Sequence, residues 1–148
     1  MEARSERRDG IVILFVSGRL DAFGAQQLEQ WARDALSDDD HDLVIDMAGS
    51  SYLSSGGIRV FSALKKEMKR RNGRFLLASV GEYPMKVLDM AGFTSVLEIF
   101  PDADTAVTDI AHRRGDNSLF GEIFHKKLLA DGIELTIEPG RILTPSSL

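Results

Sequence analysis

The chain predicts an α/β domain: a mixed β-sheet of about four or five strands with helices packed mainly on one face, followed by a small C-terminal extension. Three observations carry this. Leu43-Val44-Ile45 is a continuous apolar run of the kind found in strands buried on both faces. Apolar residues at helical spacing follow nearly every strand-like segment, most clearly after Gly57. Asp9-Gly10, between two strand-like segments, is a two-residue hairpin signal, which makes the sheet mixed rather than wholly parallel.

Taken in order, Glu2 to Arg7 reads as a polar edge strand and Ile11 to Leu20 as the strand returning from the hairpin. A first helix follows Asp21, with Ala25, Leu28, Trp31, Ala32, Ala35 and Leu36 on one face, and Trp31 belongs to the core. Ser37-Asp38-Asp39-Asp40 ends it as a solvated loop, whose adjacent carboxylates lack the ligand spacing of a cation site. The strand from Leu43 then leads through a serine-rich turn, Ala48 to Gly57, into a basic helix from about Gly56 to Asn72. Ile58, Phe61, Leu64 and Met68 face the core, and Gly73 caps the end. Lys65, Lys66, Lys69, Arg70 and Arg71 gather towards that end, where they complement the helix dipole. Arg59, Ser62 and Lys66 lie on the outward face nearer the serines and suit an acidic partner.

Arg74 to Val80 reads as another buried strand, Pro84 as the first residue of a short helix closed by Gly92, and Val96 to Phe100 as the last strand. Asp102 caps a final helix through Ala106, Val107 and Ile110. Arg113 to Asn117 has the composition of a linker, which sets a domain over 1–112, a linker over 113–117 and an extension over 118–148. In the extension, Phe120, Ile123, Phe124 and Leu128 form a helical stripe, and Ile133, Leu135 and Ile137 alternate with polar residues ahead of Pro139-Gly140. A helix plus hairpin of this size cannot bury its apolar faces alone. It is expected to dock on its own domain, to form a homodimer with a second copy, or to meet a partner.

The chemistry-bearing stretch is Ser54-Ser55-Gly56-Gly57. Ser54 is placed to cap the basic helix through its hydroxyl, and Ser55 to occupy the first helical position. Two glycines in the first turn disfavour the helix by roughly 1 kcal/mol each against alanine, and they leave the backbone open to another molecule. A purely structural turn does not need both.

Composition narrows the class. The 148 residues, 43% hydrophobic and 28% charged, are those of an ordinary globular domain with a real core. A net charge of −5 implies no general affinity for nucleic acid or an anionic membrane. The absence of cysteine excludes disulfides and thiolate metal sites, and no secretory signal or membrane-spanning run is present, so a cytoplasmic protein is expected. His41, His112 and His125 lack ligand spacing, and phosphate-cradling glycine motifs are missing. The order Ser55, Asp89 or Asp102, then His112 or His125 mimics a hydrolase triad, yet Leu53 stands where a nucleophile elbow needs glycine.

Leu43 to Asp46, followed by Tyr52-Leu53-Ser54-Ser55-Gly56-Gly57-Ile58-Arg59-Val60, resembles the signature of the STAS domain, the fold of bacterial anti-sigma factor antagonists. Gly18-Arg19-Leu20-Asp21-Ala22 resembles the family's early strand-to-helix motif, and Val87 to Phe93 with Phe100-Pro101 its later elements. The similarity spans about residues 3 to 112, with Ser54 where many members carry Asp and Gly56 where many carry Ser, Thr or Ala. The resemblance implies a STAS-like fold and a phosphorylation-switched binding protein. Its unphosphorylated form would sequester an anti-sigma factor serine kinase, freeing a sigma factor and so regulating transcription. Ser55 is the implied phosphorylation site, with Ser54 as the alternative, and a PP2C-type phosphatase would reverse the mark. The expected partner-binding residues are Asp21, Ser54, Ser55, Gly56, Gly57, Arg59, Ser62 and Lys66. No catalytic residue, metal or cofactor is expected, since ATP belongs to the kinase, nor is direct contact with nucleic acid or membrane. The alternative readings are a STAS subunit of a lipid-transport or stress-sensing complex and, more weakly, a serine hydrolase.

Overall fold

The computed structural model describes residues 1–114. The extension predicted over 118–148, and the linker from Gly115 onward, lie outside the described residues. The elements are β1 (Glu2–Arg8), β2 (Ile11–Leu20), α1 (Ala22–Ala35), β3 (Asp42–Leu53), α2 (Ser55–Arg70), β4 (Phe75–Ala78), α3 (Glu82–Met90), β5 (Glu98–Phe100) and α4 (Ala103–Arg114). The strands form one five-stranded sheet in the order β1-β2-β3-β4-β5. β1 is antiparallel to β2, and the other neighbours are parallel. At the hairpin both Asp9 and Gly10 take positive φ, 53° and 81°, as a primed two-residue turn demands.

One face of the sheet carries Val12, Leu14 and Val16 of β2, Leu43, Ile45 and Met47 of β3, and Phe75 and Leu77 of β4. These share a single core with Leu28 of α1, Phe61, Leu64 and Met68 of α2, and Leu88 of α3. Three helices therefore cover one face. The alternate residues Ile11, Ile13, Val44, Leu76 and Ala78 are buried too, which explains why the apolar runs of β2 and β3 do not alternate with polar residues. Trp31, Ala35 and Leu36 pack partly buried against the core. Met1 to Ala106 forms one compact unit. Beyond it, Val107, Ile110 and Ala111 of α4 are buried and His112 to Arg114 exposed. No helix of the described residues is long and apolar enough to cross a membrane.

Several local expectations are corrected. β3 does not end at the apolar run: Ala48 to Leu53, expected as a turn, continue the strand because they pair with Ser17, Arg19 and Leu20 of an irregular stretch of β2. Pairing overrides the weak strand propensity of an Ala-Gly-Ser-Ser segment. The left-handed residue after α2 is Asn72, with φ 60°, while the Gly73 amide bonds back to the Met68 carbonyl at 2.8 Å. Gly73 is required for another reason, since a Cβ there would overlap the His41 carbonyl. Pro84 is the third residue of α3 rather than the first, a position whose amide has no helical acceptor in any case. Arg113 and Arg114, assigned to the linker, are helical.

The loop between α1 and β3 is not wholly solvated. Asp40 is buried and accepts hydrogen bonds from the Arg7 guanidinium at 2.8 and 3.0 Å and from the Ser37 amide and hydroxyl at 2.8 and 3.0 Å. Its adjacent Arg7 and Ser37 donors outweigh burial and hold its pKa down at about 2.

Candidate functional site at the start of the second helix

The parallel pairing of β2 with β3 ends at Leu20 opposite Leu53, and the Ser54 amide donates to the Leu20 carbonyl at 3.0 Å. Each strand then turns straight into a helix, so α1 and α2 begin side by side. Their first residues behave differently. Asp21 caps α1 by accepting from the Gly24 amide at 2.8 Å. Ser54 occupies the same position on α2 but makes no side-chain cap bond, and its Oγ is buried without a partner. The capping bond expected of Ser54 is therefore absent. Ser55, the first residue of α2, is exposed.

The glycines have internal causes. Gly57 is buried, and a Cβ there would lie 2.5 Å from Leu53 Cδ1 and 3.0 Å from Leu20 Cγ. A Cβ on Gly56 would meet the Ala22 Cα at 3.3 Å and the Ser54 hydroxyl at 3.5 Å. The pair lets the first turn of α2 sit tightly against the end of β2 and the start of α1, a packing reason for glycine that the sequence does not show. Of the sequence candidates, Asp21, Ser54, Ser55 and Gly56 converge on this junction. Arg59 and Lys66, both exposed, and half-buried Ser62 continue along α2, whereas Gly57 is buried.

Three aromatic side chains at the junction escaped the sequence reading. The Arg19 guanidinium lies 4.0 Å above the Tyr52 ring, and Tyr52 stacks on Tyr83 of α3 with centroids 5.9 Å apart. Phe23, on the first turn of α1, is 69% exposed, and Tyr83 is 51% exposed. Only the register that sets Arg19 opposite Tyr52 signals this stack, and register is not read from one sequence. The triad candidates are engaged elsewhere: Asp89 accepts from the Thr94 hydroxyl and Asp102 from the Thr105 amide, while His125 lies outside the described residues. A separate open cleft of about 370 Å³, lined by Arg4, Phe15, Ser17 and Asp46 among others, includes none of the candidate residues.

Comparison with known proteins agrees on one family. Residues 2–106 match the family model described as the STAS domain. The proposed anti-sigma factor antagonist BtrV of Bordetella bronchiseptica is 27% identical over 105 residues, covering 71% of this chain and 88% of BtrV. The anti-sigma-F factor antagonist RsfB of Mycobacterium tuberculosis is 22% identical, covering 73% of this chain and 88% of its own. Among solved structures, an anti-sigma factor antagonist from Mycobacterium paratuberculosis superimposes with a TM-score of 0.66 at 26% identity, covering 74% of this chain and 92% of that one.

Proposed function

The chain belongs to the STAS domain family, and on that premise we propose that it is an anti-sigma factor antagonist switched by phosphorylation of Ser55. The observation that carries the choice of residue is the contrast at the α2 junction: Ser55 is exposed on the first turn, whereas the neighbouring Ser54 hydroxyl is buried. The relatives named above support regulation through a protein partner rather than catalysis.

In this reading the unmodified protein binds an anti-sigma factor serine kinase and thereby releases a sigma factor. The partner meets Ser55 and Gly56, with Asp21 beside them and Arg59, Ser62 and Lys66 along the outer face of α2. Phosphorylation transfers the γ-phosphoryl group of the kinase's ATP to Ser55 Oγ. The Oγ–P bond forms as the bond to the ADP leaving group breaks, and the hydroxyl proton passes to a base of the kinase. A PP2C-type phosphatase restores the hydroxyl. The phosphate adds about −1.5 to −2 charge at an exposed helix start, where free amides and the helix dipole tolerate an anion, so the fold is preserved and binding is lost. A loss of about 3 kcal/mol weakens affinity more than a hundredfold.

The test is phosphosite mapping after incubation with the cognate kinase, with affinity measurements on Ser55→Ala and Ser55→Asp. Ser55→Ala should bind constitutively and resist modification, and Ser55→Asp should stay folded and bind poorly. Phosphate on Ser54 alone, or undiminished binding by Ser55→Asp, refutes the proposal.

A further inference from the structure

Four residues after Ser55, on the same outward face of α2, stands Arg59. Both are exposed, while Ile58 and Val60 on either side of the arginine are buried. Alone among the arginines of the described residues, Arg59 has no hydrogen bond, ion pair or ring contact. Arg4, Arg7, Arg8, Arg33, Arg70, Arg71, Arg74 and Arg113 meet carboxylates, Arg19 covers Tyr52, and Arg114 is also engaged. The charged groups beside the junction are committed as well, Asp21 to the Gly24 amide and Arg19 to the tyrosine ring. Among the described residues the Arg59 guanidinium is thus left to solvent beside Ser55.

Residues four apart on a helix face one another, and an anion placed N-terminal to a cation is the favoured order. The guanidinium fork matches the oxygens of a phosphate in bidentate fashion. We propose that Arg59 is the internal receptor of a phosphate on Ser55, the two closing an ion pair along the first turns of α2. This inference rests on the phosphorylation reading above and gives it a second arm. The modification adds an anion to the docking face, and in the same step it withdraws the one free guanidinium that face offers an acidic partner. Arg59 is thereby a positioning residue of the switch: it fixes where the phosphate lies.

The experiment uses the full chain with phosphoserine installed chemically at position 55, so that it is independent of any kinase. Failure of a kinase to modify Ser55 would overturn the phosphorylation reading, yet would leave this measurement interpretable. The phosphorus NMR signal is titrated against pH in the otherwise wild-type phosphoprotein and in its Arg59→Gln and Lys66→Gln forms. With Arg59 present the second ionisation of the phosphate should fall at least about 0.3 pH unit lower than in Arg59→Gln, roughly a twofold change in its acid dissociation constant. Lys66→Gln, altered on the same outward face but farther along the helix, should titrate as the Arg59 protein does. Coincident curves for Arg59 and Arg59→Gln, or an equal shift on Lys66→Gln, overturn the proposal.

Discussion

Asp21 and Ser54 occupy the same position on neighbouring helices, yet only Asp21 makes the capping bond. Replacing an N-cap ordinarily destabilises a helix by about 1 kcal/mol, so Asp21→Ala is expected to lose about that much in chemical denaturation. Ser54→Ala removes no cap bond and relieves a buried hydroxyl of its missing partner. It should change stability by less than about 0.5 kcal/mol, and a full N-cap loss would show that the hydroxyl is used after all. Gly57→Ala runs the other way. Alanine is the better helix former by about 1 kcal/mol, but its Cβ would press into Leu53 and Leu20, and overpacking of this kind costs about 1–3 kcal/mol. A lowered melting temperature is expected, and a raised one would mean that the two leucines yield freely.

Among the elements, α2 does two jobs with two faces. Its inner stripe of Ile58, Phe61, Leu64 and Met68 is buried in the core, and its outer face carries Ser55, Arg59 and Lys66 to solvent. Its far end is held by Arg71, which donates to the Ser37 carbonyl at 2.6 Å and the Asp40 carbonyl at 3.1 Å. The start is flanked by the stack of Tyr52 on Tyr83, which ties β3 to α3. A double-mutant cycle between Tyr52→Ala and Tyr83→Ala is expected to give a coupling of about 0.5–1.5 kcal/mol, and additive effects would remove the stack from the account of stability.

At the scale of the whole molecule, Asp40 joins distant parts of the chain: it binds Arg7 of β1 and Ser37 after α1, at the entrance to β3. Its pKa of about 2 lies below the ordinary 3.8, so the folded state favours the carboxylate. The resulting stability is fully present above about pH 4 and is lost as pH falls through about 2. It is on the order of 2 kcal/mol for this buried group. The gap in unfolding free energy between wild type and Asp40→Asn should accordingly be wide at neutral pH and close between pH 4 and 2. A gap that stays constant over that range would detach the charge of Asp40 from stability.

The sequence alone determined the order of elements, the hairpin at Asp9-Gly10, the doubly buried strands and the serine-led helix, because each is written in local periodicity or in a turn dipeptide. The motif around Ser55 was legible for the same reason: it is contiguous. Only the tertiary structure decided that β3 runs on through Ala48 to Leu53, that Gly57 answers to Leu20 and Leu53, that Asp40 is a buried partner of Arg7, and that Arg19, Tyr52 and Tyr83 stack. Each of these depends on which residues of separate segments come to lie opposite one another. Register and packing are properties of pairs of segments, and a residue's own neighbours in sequence carry no record of them.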